Sequence, residues 1–133
     1  MTDIKMHTEY AIKRTERGWP SHFICAHRCL FRRSTTVEYN GLMVLISTVG
    51  RMLSADSKHY ERIGCDRYYE TMCWLADPTD EYHDASTALK KIVITGNSAL
   101  DDVNDEWGAN NMHEAIVEEM ITKLINNTLQ FHE

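Results

Sequence analysis

The sequence predicts an α+β fold in which an antiparallel sheet of about five or six strands packs against one long C-terminal helix. Segments rich in β-forming residues fill residues 1–96, and an amphipathic helical pattern covers about residues 102–127. The length of 133 residues suits a single domain, 1–133, with one hydrophobic core. We therefore expect the helix to pack on the sheet in an α+β layering.

The first two strands are predicted within EYAIKRTERGWPSHFICAHRCLFRR, residues 9–33. Gly18 and Pro20 are turn-forming residues and separate the two strands. Because side chains alternate between the two faces of a strand, Arg28 and Arg32 share one face of the second strand. The other face is expected to carry Phe23, Cys25, His27, Cys29 and Phe31.

The clearest local signal is a β-hairpin in TTVEYNGLMVLISTVG, residues 35–50. Two β-rich arms flank Asn40 and Gly41. This dipeptide suits a type I′ turn, because both central residues of that turn need a positive φ. The next segment, residues 51–64, is polar and is predicted to be a connection.

Two further strands are predicted after this connection. CDRYYETMCWLA, residues 65–76, is rich in aromatic residues and reads as a strand. Alternation places Glu70 on one of its faces, together with Asp66, Tyr68 and Met72. Residues 77–86 are predicted to be a loop, and residues 91–95 a short strand that ends at Gly96.

The helical pattern has an apolar stripe along one side. The stripe consists of Met112, Ile116, Met120 and Leu124, with Ala109, Val117 and Ile121 beside it. Acidic residues crowd the start of the helix, where the helix dipole favours negative charge. His113 lies near the stripe, and we expect it to be a packing residue whose hydrogen bonds are satisfied.

Histidines and cysteines concentrate in HFICAHRCLFRR, residues 22–33, and could form a metal site. Neighbouring residues on one face of a strand are about 6.6 Å apart, so Cys25, His27 and Cys29 cannot all reach one ion without a bulge. We predict buried, reduced cysteines, no bound metal and no cofactor. A metal site at these three residues stays open as the alternative.

Charge is distributed unevenly along the chain. Residues 1–67 contain 11 Lys/Arg and 7 Asp/Glu, whereas residues 68–133 contain 3 and 13, and the net charge is −6. Such asymmetry indicates an electrostatic role, or two halves that neutralise each other within the fold or across a dimer contact.

The sequence shows no sign of membrane insertion or secretion. No segment approaches the twenty or so apolar residues of a membrane-spanning helix, and the N-terminus lacks a signal-peptide pattern. We therefore predict a cytoplasmic protein that does not associate with membranes. The edges of its sheet would have to be covered, so we also expect a homodimer.

Four blocks of the sequence resemble a family of small uncharacterised proteins carried by phages and other bacterial mobile elements. The blocks are HFICAHRCLFRRSTT, ISTVG, RYYETM and NNMHE, and the resemblance extends over about residues 10–121. The resemblance implies that the protein is encoded by a phage or another mobile element, and it does not imply an activity. Small acidic proteins from that setting are often inhibitors of host defence, including anti-CRISPR proteins. A phage-encoded protein of this kind would act in the host cytoplasm.

The acidic second half predicts a binding protein rather than an enzyme. Glu114, Glu118 and Glu119 would form an exposed helix face, mimic phosphates and occupy a basic groove meant for nucleic acid. No Walker, GxGxxG, HExxH, GxSxG or CxxC motif occurs. The predicted function is inhibition of a host nucleic-acid-handling complex, such as a CRISPR complex, and the predicted partner is that host protein complex.

A small enzyme is the first alternative function. A hydrolase or transferase acting on a phosphorylated substrate would use His22 and Glu70 as an acid–base pair, together with Arg32 and Arg67. Burial of such groups within apolar strands would shift their pKa values, as is common at catalytic sites.

A nucleic-acid binder is the second alternative. Arg28, Arg32 and Arg33 lie in the basic first half of the chain and would contact phosphates. The overall negative charge and a pI of about 5.6 argue against direct nucleic-acid binding, since such domains are usually basic.

Overall fold

The fold is an antiparallel sheet with one long helix packed against it, which confirms the predicted α+β class. The computed structural model describes residues 11–18, 22, 26–77, 79–80 and 85–133. Its elements are β1 (Lys13–Glu16), β2 (Cys29–Tyr39), β3 (Leu42–Leu53), β4 (Tyr60–Glu61), β5 (Tyr69–Leu75), β6 (Lys90–Ile92), β7 (Ala99–Leu100) and α1 (Glu106–Asn126). The sheet has the order β1-β2-β3-β5-β6, while β4 pairs with β3 and β7 pairs with β5. The described residues thus form 7 strands, more than predicted.

The centre of the sheet is the hairpin of β2 and β3, as predicted. Asn40 and Gly41 form its turn with φ values of 52° and 82°, the left-handed values that a type I′ turn needs. The pairing extends along both strands as far as Cys29, which lies opposite Met52. β5 pairs with the other edge of β3, so β3 has a strand on each side.

The main hydrophobic core lies between the sheet and α1. The predicted stripe is buried there: Met112, Ile116, Met120 and Leu124, together with Ala109 and Val117. The sheet contributes Val37, Val44, Ile46, Tyr69 and Cys73. Gly50 is required where the ring of Tyr69 crosses β3, because a Cβ atom at Gly50 would lie 2.0 Å from Tyr69 Cδ1.

Residues 22–33 do not form one strand, which corrects the prediction. Ala26–Arg28 form a 3-10 turn, and β2 begins only at Cys29. β3 ends at Leu53, one residue beyond the partner of Cys29, so a longer β2 would find no backbone hydrogen bonds from β3. His27 is therefore not on the strand. Pro20, Phe23 and Cys25 lie outside the described residues.

The short strands of the second half also differ from the prediction. β4 lies inside the segment predicted to be a polar connection, and β7 is not among the predicted strands. The predicted strand 91–95 is reduced to β6. Its continuation bonds elsewhere, since the N–H of Val93 donates to the carbonyl of Gln130 in the segment that follows α1.

The bounds of α1 are set by side-chain and backbone caps. The helix begins at Glu106 rather than near residue 102, because the Asp105 carboxylate accepts a hydrogen bond from the N–H of Gly108. It ends at Asn126, and the cap residue that follows, Asn127, adopts a left-handed conformation with a φ of 56°. No helix in the described part of the chain is long and apolar enough to cross a membrane.

Candidate active site

The face of the sheet that points away from α1, called the outer face below, carries a buried histidine. Ser47 of β3 and Glu70 of β5 belong to this face, and His22 lies over them. His22 Nδ1 is 2.9 Å from Ser47 Oγ, and His22 Nε2 is 2.9 Å from Glu70 Oε1. The ring of Trp74 lies beside His22, with 5.4 Å between the ring centroids. His22 and Glu70, the acid–base pair of the first alternative function, are therefore in contact.

In the neutral form of the imidazole, the hydrogen bonds of His22 have a defined direction. An ionised Glu70 can only accept, so His22 Nε2 carries the proton and donates it to Glu70 Oε1. Nδ1 of the neutral ring is then an acceptor, and the hydroxyl of Ser47 donates to it. The hydrogen bond from His22 holds the pKa of the Glu70 carboxyl below its ordinary value, although burial opposes this. The three side chains thus form a directed chain that ends at a carboxylate.

The site is closed to solvent in this structure. The side chains of His22 and Glu70 are 3% and 11% exposed, and Ser47 is fully buried. Ser34 of β2 lies directly opposite Ser47 and is buried as well. Its hydroxyl oxygen has no hydrogen-bond partner within the described ranges, a loss of about 1–3 kcal/mol for a buried polar group.

Two cations flank Glu70 on the outer face. Arg67 Nη1 is 3.8 Å from Glu70 Oε2, while Arg67 Nε donates to Asp66 at 2.9 Å. Lys91 of β6 lies opposite Trp74 of β5, so its side chain shares the outer face. Both cations favour the ionised carboxylate and further lower the pKa of Glu70.

The helix-facing side of the sheet carries a second histidine chain. Thr35 Oγ1 donates to the Glu16 carboxylate, so it must accept from His113 Nε2, 2.7 Å away. His113 Nδ1 then accepts from Thr48 Oγ1, also at 2.7 Å, and Thr48 accepts from Thr71. Each hydroxyl and the imidazole donate their one proton to the next group, so all hydrogen bonds of this chain point in the direction from Thr71 to Glu16.

His113 is held in its neutral form. It is fully buried in the core. Burial lowers its pKa to about 4, and the positive charge of Arg33 adds to this shift. Because neither ring nitrogen is available to a ligand, we assign His113 a packing role, in agreement with the sequence-based expectation.

The three arginines of the predicted nucleic-acid site do not form one patch. Arg32 and Arg33 are consecutive on β2, so their side chains point to opposite faces of the sheet. Arg33 Nη1 is 2.9 Å from a carboxylate oxygen of Glu114. Arg28 Nη1 lies 3.9 Å from a carboxylate oxygen of Glu61. At least Arg28 and Arg33 are therefore engaged within the fold.

Two of the three glutamates predicted to form an acidic face also stabilise the fold. Glu114 pairs with two arginines of the sheet. Glu119 accepts two backbone hydrogen bonds from the loop after β6 and pairs with Lys123. Glu118 is exposed. Most of its exposed neighbours along α1 are uncharged: Trp107, Asn110, Asn111, Ala115 and Thr122.

The described residues contain no group of three potential ligands that could hold a metal ion. Cys29 and Cys73 are buried, and Cys65 is exposed. That the thiols are reduced stays a prediction. Cys25 lies outside the described residues, so the metal alternative with His27 and Cys29 stays a prediction.

Three residues of the outer-face site are not among the predicted site residues: Ser34, Ser47 and Lys91. The available signal was a pair of hydroxyl residues, Ser47 and Thr48, in the middle of the most apolar strand. A buried hydroxyl requires a partner, so each one indicates a polar group elsewhere in the chain. Nothing in the sequence indicates which group that is.

Comparisons with known proteins leave function to be inferred from this geometry. No family model, curated protein or solved structure matches the chain. The resemblance to proteins of phages and mobile elements therefore stays a prediction.

Proposed function

We propose that this protein is a small hydrolase or transferase that acts on a phosphorylated substrate, with Ser47 as the nucleophile. The observation that supports it is the directed hydrogen-bond chain from Ser47 through His22 to Glu70. A serine hydroxyl is a weak nucleophile until a base takes its proton, and a histidine oriented by a carboxylate is a common base. Here Nδ1 faces the serine and Nε2 the carboxylate, the reverse of the usual arrangement.

The proposed reaction has two transfer steps. Ser47 Oγ forms a bond to phosphorus while its proton passes to His22 Nδ1. The bond from phosphorus to the leaving oxygen breaks, and that oxygen takes the proton from Nδ1. Water, or an acceptor hydroxyl in a transferase, then attacks phosphorus, gives its proton to Nδ1, and Ser47 Oγ leaves with that proton. Glu70 stays ionised and stabilises the imidazolium that forms in each step.

The closed site places a requirement on this reaction. Ser47 is buried, so the outer face must open before a substrate reaches its hydroxyl. The hydroxyl of Ser34, which has no hydrogen-bond partner among the described residues, would then donate to an oxygen on phosphorus.

An alkyl fluorophosphonate tests the proposal, because it phosphonylates an activated serine without requiring the natural substrate. We expect intact-mass measurement and peptide mapping to place one adduct on Ser47. His22→Ala should slow labelling by about 10²–10⁴-fold, the usual contribution of a general base. Glu70→Gln should slow it by a smaller factor, because the base remains but loses its orienting charge.

His59 and Glu61 provide the matched control. They form a second pair of histidine and carboxylate, 3.8 Å apart, at the surface. His59→Ala and Glu61→Gln should both be labelled at the wild-type rate, and near-UV circular dichroism checks that every variant is folded. Absence of an adduct on Ser47, or labelling that does not depend on His22, would contradict the proposal.

Inhibition of a host nucleic-acid-handling complex is the second candidate function, and one exposed side chain favours a protein partner. Trp107 in the first turn of α1 is 79% exposed. Tryptophan is enriched among the residues that dominate binding energy in protein interfaces. Glu118 lies about three turns further along the exposed side of the helix. An apolar anchor and a negative charge on one side suit a basic partner surface.

Two substitutions test this candidate without removing the glutamates that stabilise the fold. Trp107→Ala should raise the Kd for a host complex captured from nuclease-treated lysate by more than about tenfold, and Glu118→Lys should raise it as well. Thr122→Ala, on the same side of α1, is the control. Unchanged affinity of both test variants would exclude binding through this surface.

A further inference from the structure

We infer that a pocket beside Glu70 binds a second phosphate group of the substrate, distinct from the one that reacts at Ser47. The inference rests on the proposed function and narrows its substrate to molecules that carry at least two phosphate groups. The pocket lies between β5, β6 and the segment that follows α1. Its polar lining consists of Arg67, Thr71, Lys91, Ser98 and His132, and apolar residues of β5, of β6 and of the segment after β6 complete it.

Backbone hydrogen bonds hold the pocket together. The N–H of Thr71 on β5 donates to the carbonyl of Ser98 at 2.9 Å. The N–H of His132 donates to the carbonyl of Lys91 on β6, also at 2.9 Å. Polar groups from three separate parts of the chain are thereby fixed around one space, as a preformed ligand site requires.

Both permanent cations of the pocket have capacity for an anion. The ammonium group of Lys91 makes no hydrogen bond or ion pair with the described part of the chain. Arg67 is oriented through its Nε by Asp66, and its Nη1 is 3.8 Å from Glu70, too far for a hydrogen bond. Its terminal N–H groups can therefore donate to phosphate oxygens, which guanidinium groups match well.

The size of the pocket indicates a phosphate group rather than a large ligand. Its volume is about 200 Å³. Sites for drug-sized ligands typically enclose roughly 300–1,000 Å³. The pocket therefore suits one end of a substrate whose remainder extends along the outer face.

The position of the pocket separates it from the reacting phosphorus. Ser47 is on β3 and Lys91 is on β6, with β5 between them. Neighbouring strands are about 4.8 Å apart, so the two positions are separated by about 10 Å. A phosphate in the pocket cannot be the one that Ser47 attacks, and it would serve to position the substrate.

A titration with inorganic phosphate tests the pocket, followed by the amide signals of Thr71, Ser98 and His132 in ¹H–¹⁵N NMR spectra. We expect saturable shifts of these three signals in the wild-type protein. Lys91→Met should raise the Kd for phosphate at least tenfold. Lys90→Met is the matched control, because it removes the same charge from the neighbouring residue, whose side chain points to the other face and lies over the ring of Phe131. Equal weakening by both substitutions, or no saturable shift, would overturn the assignment.

Two further measurements separate the pocket from the proposed chemistry. Ser47→Ala should bind phosphate as the wild type does, so failure of fluorophosphonate labelling alone would refute the nucleophile and leave the pocket intact. 1,4-Butanediol bisphosphate should bind more tightly than inorganic phosphate, since its second phosphate reaches the Ser47 site. Equal affinity for the two would mark a site for free phosphate and overturn the assignment to a substrate.

Discussion

At the scale of single residues, two histidines with different roles lie on opposite faces of the same strands. Ser47 and Thr48 are consecutive on β3, so their side chains point in opposite directions and reach His22 and His113 respectively. In the hydrogen-bond chain through His113, every side chain is hydrogen-bonded to another member of the chain. The hydrogen-bond chain through His22 ends at a serine hydroxyl beside that of Ser34, which has no partner in the part of the chain that the structure describes. We therefore assign a catalytic role to His22 and a role in stabilising the fold to His113.

The burial of neutral His113 predicts a loss of stability in acid. Its pKa is about 4 in the folded protein, against 6.5 for a free imidazole. The unfolded chain binds the proton at higher pH than the folded protein does. The free energy of unfolding should therefore fall as the pH decreases from 6.5 to 4, by up to about 3 kcal/mol. Urea denaturation between pH 7 and pH 4.5 measures this slope.

His113→Gln is the variant that isolates this effect. It should be less stable than the wild type at pH 7, because it disrupts a buried hydrogen-bond chain. Relative to the wild type, it should lose the decrease in stability between pH 6.5 and 4.5. Glu16 and Glu114 face His113, and their pKa values are lowered by their partners, so they add their own loss of stability in acid. The variant retains both carboxyls, so the difference between the two slopes reports His113. An unchanged slope in the variant would contradict the assignment.

At the scale of an element, the start of α1 depends on one capping side chain. Asp105 Oδ1 accepts a hydrogen bond from the N–H of Gly108 at 2.8 Å. Gly108 leaves the space for it, because a Cβ atom at that position would lie 2.1 Å from the carboxylate. The acidic pattern at residues 101–106 therefore indicates the region in which the helix starts, whereas the cap determines the residue at which it begins.

The cap predicts a measurable stability difference. Asp105→Ala should lower the free energy of unfolding by about 1 kcal/mol. Asp105→Ser should retain most of the stability that the cap contributes, since serine also caps helices. Urea denaturation with an unchanged m-value measures both. Asp101→Ala is the control, because Asp101 pairs with Arg62 at the surface. A loss in the control as large as in Asp105→Ala would argue against the cap.

At the scale of the whole molecule, much of the uneven charge is neutralised within the fold. Ion pairs join the basic first half to the acidic second half: Arg14 and Arg33 to Glu114, Arg51 to Glu106, and Arg62 to Asp101. Pairs at the surface contribute little individually. They nevertheless support internal neutralisation, one of the two explanations for the asymmetry. A homodimer and a cytoplasmic location stay predictions.

The sequence predicted best those features that depend on neighbouring residues. The turn at Asn40 and Gly41 and the buried stripe of α1 follow from local conformational preference and from periodicity. β4, β6 and β7 were harder to predict because each is two or three residues long. So short a strand is stabilised by its partner. β4 pairs with the nearby end of β3, whereas β7 gains its partner from β5, much earlier in the chain.

The sequence by itself determined the α+β class, the central hairpin and the long helix, and it offered His22 and Glu70 only as candidates for an acid–base pair. Only the tertiary structure decided that Ser47 completes their chain and that Lys91 shares their face. It also decided that Glu114 and Glu119 are engaged within the fold. The physical reason is separation along the chain. Periodicity is a property of neighbours, whereas the bonds from His22 to residues 25 and 48 positions away exist only once strand register places those residues side by side.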